Sequence, residues 1–113
     1  MDELASKRCV ACTESTPRVA PEEVTRLLAQ LPGYTADLLV GSISKVYEFE
    51  DFYETIAFVN ALAYVAHAED HHPDLAVSYN RCAVTYSTHA IGGLSENDFV
   101  CAAKIEALVQ RSS

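Results

Sequence analysis

The chain carries two pairs of short β-type segments, and in each pair the join is too short for a crossover connection. Residues 34–40 and 43–49 are rich in aromatic and β-branched side chains, and the Gly-Ser dipeptide between them is typical of a hairpin. Residues 75–79 and 82–88 are separated by an Asn-Arg dipeptide, which is either a tight turn or a bulge within one bent strand. Strands joined this closely pair antiparallel, so we expect a four-stranded antiparallel sheet.

Three helical patterns lie before, between and after these strand pairs. A proline followed by two glutamates begins the first, and a Pro-Gly dipeptide ends it. Residues 51–70 form the longest, and Pro73 predicts its end near His71. The third starts at a capping-box-like Ser95-x-x-Asp98. The predicted order is α-β-β-α-β-β-α, which is an α+β two-layer sandwich with three helices on one face of the sheet.

The length and charge of the chain limit its organisation and its partners. With 113 residues it has the size of one domain, in which residues 1–19 are predicted to be an irregular N-terminal arm and residues 20–113 the folded domain. It has no apolar run of the ~20 residues that span a bilayer and no signal-peptide pattern, so we expect a cytoplasmic protein. The net charge of −8 disfavours direct binding to nucleic acid or to an anionic membrane.

The four cysteines do not define a disulfide framework or a metal site by their spacing. Cys9 and Cys12 form a lone Cys-x-x-Cys, whereas a zinc site needs a second pair of ligands at a matching spacing. Cys82 and Cys101 fall in apolar patterns and are predicted to be small core residues. Plain thiols are therefore the favoured interpretation at Cys9 and Cys12.

All four histidines lie in one stretch: His67, His71, His72 and His89. His67 and His71 share a helical face and could form a metal site with His89, although an alanine follows His67 where zinc proteases have glutamate. Taken singly, each residue is explained as well by structure, since a histidine near a helix end interacts favourably with the helix dipole. Their concentration favours a third interpretation, which is acid–base chemistry near neutral pH.

The spacing of these polar residues forms a motif that is more specific than its parts. His67-x-x-x-His71-His72-Pro73 is followed by Tyr79, by His89 and by Asp98. Over roughly residues 20–110 the chain resembles the pterin-4a-carbinolamine dehydratases, also known as dimerisation cofactors of a homeodomain transcription factor. The resemblance implies dehydration of 4a-hydroxytetrahydrobiopterin to quinonoid dihydropterin and water, in tetrahydrobiopterin recycling, with no metal and no other cofactor.

The same resemblance assigns roles to the matching positions. His71 and His89 are the acid–base candidates and His72 would orient the pterin, with the division of roles among these three catalytic residues left open. The residues implied in substrate binding are His67, Asp70, Ser87, Thr88 and Asp98. Two departures bear on activity: position 67 is often glutamate in the family, and an aromatic residue commonly stands where this chain has Leu75.

The resemblance also implies partners. The first is a small pterin substrate, and the second is a further copy of the chain in a homodimer or homotetramer. A transcription factor or an aromatic amino-acid hydroxylase would be a further protein partner, with a nuclear location as well if the chain serves as a coactivator. No direct nucleic-acid partner and no membrane are expected. The alternative functions are a non-catalytic dimerisation cofactor and a metal-dependent enzyme.

Overall fold

The computed structural model describes residues 2–10 and 15–111, and it contains a four-stranded sheet with helices packed on one face. Its main elements follow the order α-β-β-α-β-β-α, which confirms the predicted α+β fold. In chain order, the elements are α1 (Asp2–Ala5), α2 (Pro21–Leu28), β1 (Thr35–Asp37), β2 (Ser42–Glu48), α3 (Phe52–Glu69), β3 (Asp74–Val77), β4 (Arg81–Tyr86), a 3-10 turn (His89–Ile91) and α4 (Glu96–Arg111).

The N-terminal segment contributes to the core, although its sequence has no period. The short helix α1 packs against α4 and buries Leu4, which is 1% exposed. The Val19 N–H donates to the Leu94 carbonyl at 2.9 Å, which attaches the end of the segment to the loop before α4. Cys12 lies outside the described residues, so its interpretation as a plain thiol stays a prediction.

Strand β4 lies inside the sheet, between β2 and β3, and positions one wall of the site. The sheet order is β1-β2-β4-β3, and every neighbouring pair is antiparallel. Cys82, Val84 and Tyr86 alternate along β4 and are fully buried, as the period of two predicts. The Ser78 N–H donates to the Arg81 carbonyl at 2.9 Å, so the join between β3 and β4 is a tight turn rather than a bulge.

The ends of β1 and α2 differ from the prediction, and local hydrogen bonds explain both. Strand β1 ends at Asp37, because the Asp37 side chain accepts the N–H groups of Leu39 and Val40 at 3.0 and 3.1 Å and so turns the chain. Helix α2 ends at Leu28, before the Pro-Gly dipeptide. There the Leu31 N–H donates to the Leu28 carbonyl at 2.9 Å in a tighter, 3-10-type turn.

Helix α3 begins where the sequence predicts and packs its apolar residues on the sheet. The Asp51 side chain accepts the Glu54 N–H at 2.8 Å and caps the helix. Phe58 and Leu62 are buried, and the Phe58 ring centroid lies 4.8 Å from that of Tyr47 on β2. Within residues 2–10 and 15–111, no helix combines the length and the apolar character needed to cross a membrane.

A buried polar cluster joins β2 to α4 away from the histidines. Glu106 Oε1 accepts from Lys45 Nζ at 2.8 Å and from the Tyr47 hydroxyl at 2.9 Å. The Tyr34 hydroxyl lies 2.9 Å from that of Tyr47 and donates to it, since Tyr47 gives its own proton to Glu106. Burial raises the pKa of both tyrosines above the ordinary value, so they remain neutral donors.

We expect Glu106→Ala to lower the free energy of unfolding by about 2 kcal/mol, because Lys45 and Tyr47 lose a shared acceptor in a buried site. Urea denaturation measures this change. Lys7→Ala removes the exposed ion pair with Glu96 and is the control, with an expected loss below about 1 kcal/mol. If Glu106→Ala costs no more than this control, the buried cluster does not stabilise the fold.

Candidate active site

The adjacent histidines follow the end of α3, where the backbone forms a Schellman motif. The His71 N–H donates to the Ala66 carbonyl at 3.1 Å, and the Asp70 N–H donates to the His67 carbonyl at 3.2 Å. Asp70 adopts the left-handed conformation, with φ 52° and ψ 45°, that glycine usually supplies at this position. Helix α3 therefore ends at Glu69, within one residue of the predicted bound at residue 70, and the turn directs His71 out of the helix.

His71 pairs with Asp98, which lies 27 residues further along the chain. Nε2 of His71 is 2.6 Å from Oδ1 of Asp98, and the Asp98 side chain is fully buried while that of His71 is 12% exposed. A carboxylate can only accept a hydrogen bond, so Nε2 carries the proton and donates it. In the neutral imidazole the lone pair is then on Nδ1, where it is available as a base.

The second oxygen of the same carboxylate is held by two more donors. Asp98 Oδ2 accepts from the Thr88 hydroxyl at 2.8 Å and from the Ser95 N–H at 3.0 Å. Because Thr88 gives its proton to Asp98, the Ser95 hydroxyl donates to Thr88 Oγ1, 2.8 Å away. The bond from the Ser95 N–H is one half of the predicted capping box at the start of α4. The buried charge therefore meets donors from three separate parts of the chain.

The imidazole of His71 is also supported on one face by Tyr86. The two rings are nearly parallel, at 4°, and their centroids are 5.8 Å apart. Burial raises the pKa of Tyr86 above its ordinary value, so the phenol stays neutral against the imidazole. Among the described residues, the Tyr86 hydroxyl has no hydrogen-bond partner. Tyr86 thus restricts the His71 ring without competing for its nitrogens.

A cavity of about 580 Å³ lies beside this pair, within the usual size of a small-molecule site. Asp98 lies behind His71 and is fully buried. His67 is exposed on α3 and is not among the described residues that line the cavity, so its implied role in substrate binding stays a prediction. Six of the predicted site residues line the cavity: Asp70, His71, His72, Ser87, Thr88 and His89.

His89 reaches the cavity from a 3-10 turn rather than from the end of a strand. Strand β4 ends at Tyr86, two residues before the predicted end. Beyond it, the Thr88 N–H donates to the Gly93 carbonyl at 2.9 Å, and the His89 carbonyl accepts from the Gly92 N–H at 3.1 Å. These bonds bend the chain back and leave His89 exposed at the cavity.

Several residues that line the cavity were not predicted from the sequence to belong to the site. Arg8, Cys9 and Val10 of the N-terminal segment line the cavity, together with Glu69 at the end of α3 and Asn97 of α4. The only sequence signal near them was the lone Cys-x-x-Cys, which concerns the thiols and not the position of the backbone. Contacts between Val10 and Asn97 span 87 residues, and no local periodicity encodes them.

A metal site is not assembled by the described residues, in which no three His, Cys, Asp or Glu side chains converge. The set of His67, His71 and His89 that the sequence allowed is therefore not brought together. The arrangement instead provides one imidazole held in a defined tautomer and two further histidines, His72 and His89, on the same cavity. Such a site is suited to proton transfer.

We expect Asp98→Asn to lower the free energy of unfolding by about 2 kcal/mol, because the amide turns a hydrogen-bond donor towards one of the three donors that meet there. Urea denaturation measures the loss. Asp51→Asn is the matched control: it makes the same chemical change at the start of α3, and asparagine caps a helix about as well as aspartate. Equal losses in the two variants would contradict the convergence of donors on Asp98.

The sequence is similar to proteins of one family along almost its whole length. Residues 17–108 match the family model described as pterin 4 alpha carbinolamine dehydratase. A protein of Nitrosospira multiformis named "Putative pterin-4-alpha-carbinolamine dehydratase" is 53% identical over 110 residues, covering 97% of this chain and 96% of that protein. A protein of the same name from Stenotrophomonas maltophilia is 49% identical over 108 residues, covering 96% and 93%.

Solved structures share the fold. The transcriptional coactivator/pterin dehydratase from Brucella melitensis has a TM-score of 0.78 at 32% identity, covering 81% of this chain and 98% of that chain. A pterin dehydratase-like protein described as a RuBisCO assembly factor in the alpha-carboxysome is 22% identical, with a TM-score of 0.56, and shows the fold alone. With the family model matched over most of the sequence and relatives about half identical to it, the chain belongs to the pterin 4-alpha-carbinolamine dehydratase family of hydro-lyases.

Proposed function

We propose that the chain dehydrates 4a-hydroxytetrahydrobiopterin to quinonoid dihydropterin and water by histidine acid–base catalysis, as a step in tetrahydrobiopterin recycling. The observation that best supports this mechanism is the 2.6 Å pair between His71 Nε2 and Asp98 Oδ1 beside the cavity. A buried carboxylate that holds one imidazole nitrogen as N–H keeps the other nitrogen available as a base and stabilises the imidazolium that forms.

The reaction needs two proton transfers. The hydroxyl at C4a must gain a proton to leave as water, and N5 must lose its proton as the double bond between N5 and C4a forms. Nδ1 of His71 accepts the N5 proton, while Asp98 stabilises the resulting positive charge. His89, which is exposed at the cavity, donates to the leaving hydroxyl and regains its proton from solvent. One proton is given and one is taken, so the protein returns to its starting state after proton exchange with water.

Substrate binding falls to the groups around these two histidines. His72 follows His71 on the cavity wall and orients the pterin, with Asp70 and Ser87 beside it. The Thr88 N–H is already bonded to Gly93, so we assign hydrogen bonds with the amide-like edge of the pterin to the main chain of Ser87 and His89, which also line the cavity. The Thr88 hydroxyl and Asp98 act through His71 rather than on the substrate.

The proposal includes self-association and a cytoplasmic location, where an aromatic amino-acid hydroxylase supplies the carbinolamine. The sheet is open, with β1 and β3 at its edges. Val46, Leu75 and Val77 are exposed large hydrophobic residues on β2 and β3. An open edge beside apolar side chains favours pairing with another copy of the chain, in a homodimer or a homotetramer.

A second candidate function is a non-catalytic dimerisation cofactor or coactivator. It is supported by the description of the Brucella melitensis protein as a transcriptional coactivator as well as a pterin dehydratase. Tyr53 and Tyr64 are exposed on α3 and offer a surface for a protein partner. The net charge of −8 disfavours contact with DNA itself. Both functions can coexist, because these tyrosines are not among the described residues that line the cavity.

We expect His71→Ala and His89→Ala each to lower kcat by about two to four powers of ten, because each removes one of the two proton transfers. Stopped-flow absorbance follows the loss of freshly generated carbinolamine. Glu22→Ala, an exposed change on α2, is the control for purification and folding. If both histidine variants react at the rate of this control, the assignment is wrong. His67→Ala tests the remaining histidine, and a raised KM would support its implied role in binding.

The metal-dependent alternative is tested by chelation. We expect the dehydratase rate to be unchanged after dialysis against EDTA, since the described residues bring no three metal ligands together. Elemental analysis of protein purified without added metal accompanies the rate measurement. A rate that falls with EDTA and returns with added zinc would replace the histidine mechanism by a metal-dependent one.

A further inference from the structure

We propose that residues 8–10, the strap, form a substrate-contacting wall of the cavity, in which the Val10 side chain packs on the pterin ring and Asn97 is the positioning residue. The inference rests on the proposed function for the identity of the ligand. It assigns the specificity of the site in part to a segment that lies before residue 17, where the family match begins.

The strap is fixed at Val10 by the side chain of Asn97. The Val10 N–H donates to Asn97 Oδ1 at 3.0 Å, and Asn97 Nδ2 donates to the Val10 carbonyl at 2.6 Å. The side-chain amide thus bonds both main-chain groups of one residue, as a neighbouring strand would. Asn97 is 5% exposed in the first turn of α4, one residue before Asp98. Two adjacent residues therefore position the site: Asn97 holds the strap, and Asp98 holds the imidazole of His71.

The strap is fixed again at the preceding residue. The Cys9 N–H donates to Glu69 Oε1 at 2.8 Å, and Glu69 is the last residue of α3. Cys9 Sγ contacts Cys101 Sγ at 3.2 Å, and it lies 3.8 Å from the Asn97 carbonyl. The backbone at two successive residues is thus held to both helices whose ends form the site.

These contacts hold the main chain of Val10, and its side chain is exposed to solvent. It is 69% exposed, although its main chain is anchored on both sides and it lines the cavity. The other described lining residues are polar, charged or small, with alanines at 68 and 90. Ligand cavities for flat heterocycles pair a few polar groups with an apolar surface. Among the described residues that line the cavity, Val10 has the large apolar side chain that can form this surface.

The expected effect falls on binding rather than on the chemical step. The proton-transfer groups His71 and His89 lie within the matched residues 17–108, whereas the strap lies outside them. A contact made equally with the substrate and with the transition state lowers KM and leaves kcat nearly unchanged. Loss of the Val10 contact should therefore raise KM selectively.

The kinetic test uses Val10→Thr, which keeps the shape of the side chain and both main-chain bonds. We expect KM for the carbinolamine to rise about threefold to tenfold with kcat within about twofold. Asn97→Ala releases the strap and should raise KM at least as much. Lys7→Ala is the control, because it removes the exposed ion pair of the same segment with Glu96 and leaves the cavity wall in place. An unchanged KM in Val10→Thr overturns the role of Val10.

A second measurement does not depend on turnover. Iodoacetamide alkylation of the full chain, read by peptide mass spectrometry, reports on Cys9. Cys101 is fully buried, and its contact with Cys9 together with burial raises its pKa, so the two thiols are separable. We expect saturating 7,8-dihydropterin to slow Cys9 alkylation at least about fivefold, and Asn97→Ala to accelerate it without ligand.

The results of these measurements distinguish a failure of the strap proposal from a failure of the proposed dehydratase function. Protection of Cys9 in a chain without dehydratase activity would support the strap as a ligand wall and reject the proposed reaction. Dehydratase activity without protection, and with an unchanged KM in Val10→Thr, would reject the strap and retain the reaction. If Asn97→Ala lowers only the urea midpoint, with KM and Cys9 alkylation unchanged, the role of Asn97 is purely structural.

Discussion

The site depends on the hydrogen bonds that the buried carboxylate of Asp98 accepts. They come from His71 after α3, from the Thr88 hydroxyl after β4, and from the Ser95 N–H at the start of α4. A carboxylate that is fully buried without donors would cost several kcal/mol, and the convergence of these segments on Asp98 offsets that cost. The same convergence fixes the nitrogen of His71 that faces Asp98. Stability and the orientation of the imidazole therefore come from one set of bonds.

The cavity lies where element ends meet, and this position explains its composition. It is lined by residues around the C-terminus of α3, the 3-10 turn, the N-terminus of α4 and the strap. The elements behind it are anchored by apolar packing and by the Glu106 cluster, which lies away from the histidines. Residues at the ends can then be polar without weakening the core, because the regular elements already bury the apolar surface.

The correct and incorrect predictions differ in what each depends on. The element order and the buried face of β4 follow from periodicity over several residues, and both are confirmed. The early ends of β1 and β4 depend on single hydrogen bonds. The Asp37 side chain turns the chain after β1, and the bond from the Thr88 N–H to the Gly93 carbonyl bends it after β4. The alternation of side chains along a strand does not encode either bond.

The sequence by itself determined the fold class, the family and the stretch that carries the histidines, because these follow from local periodicity and from a motif with defined spacing. The tertiary structure decided which residues meet. It paired His71 with Asp98 across 27 residues, left His67 off the cavity, and brought Val10 to Asn97 across 87 residues. Such contacts depend on how the helices and the N-terminal segment pack together, and the pattern of any single segment does not contain that information.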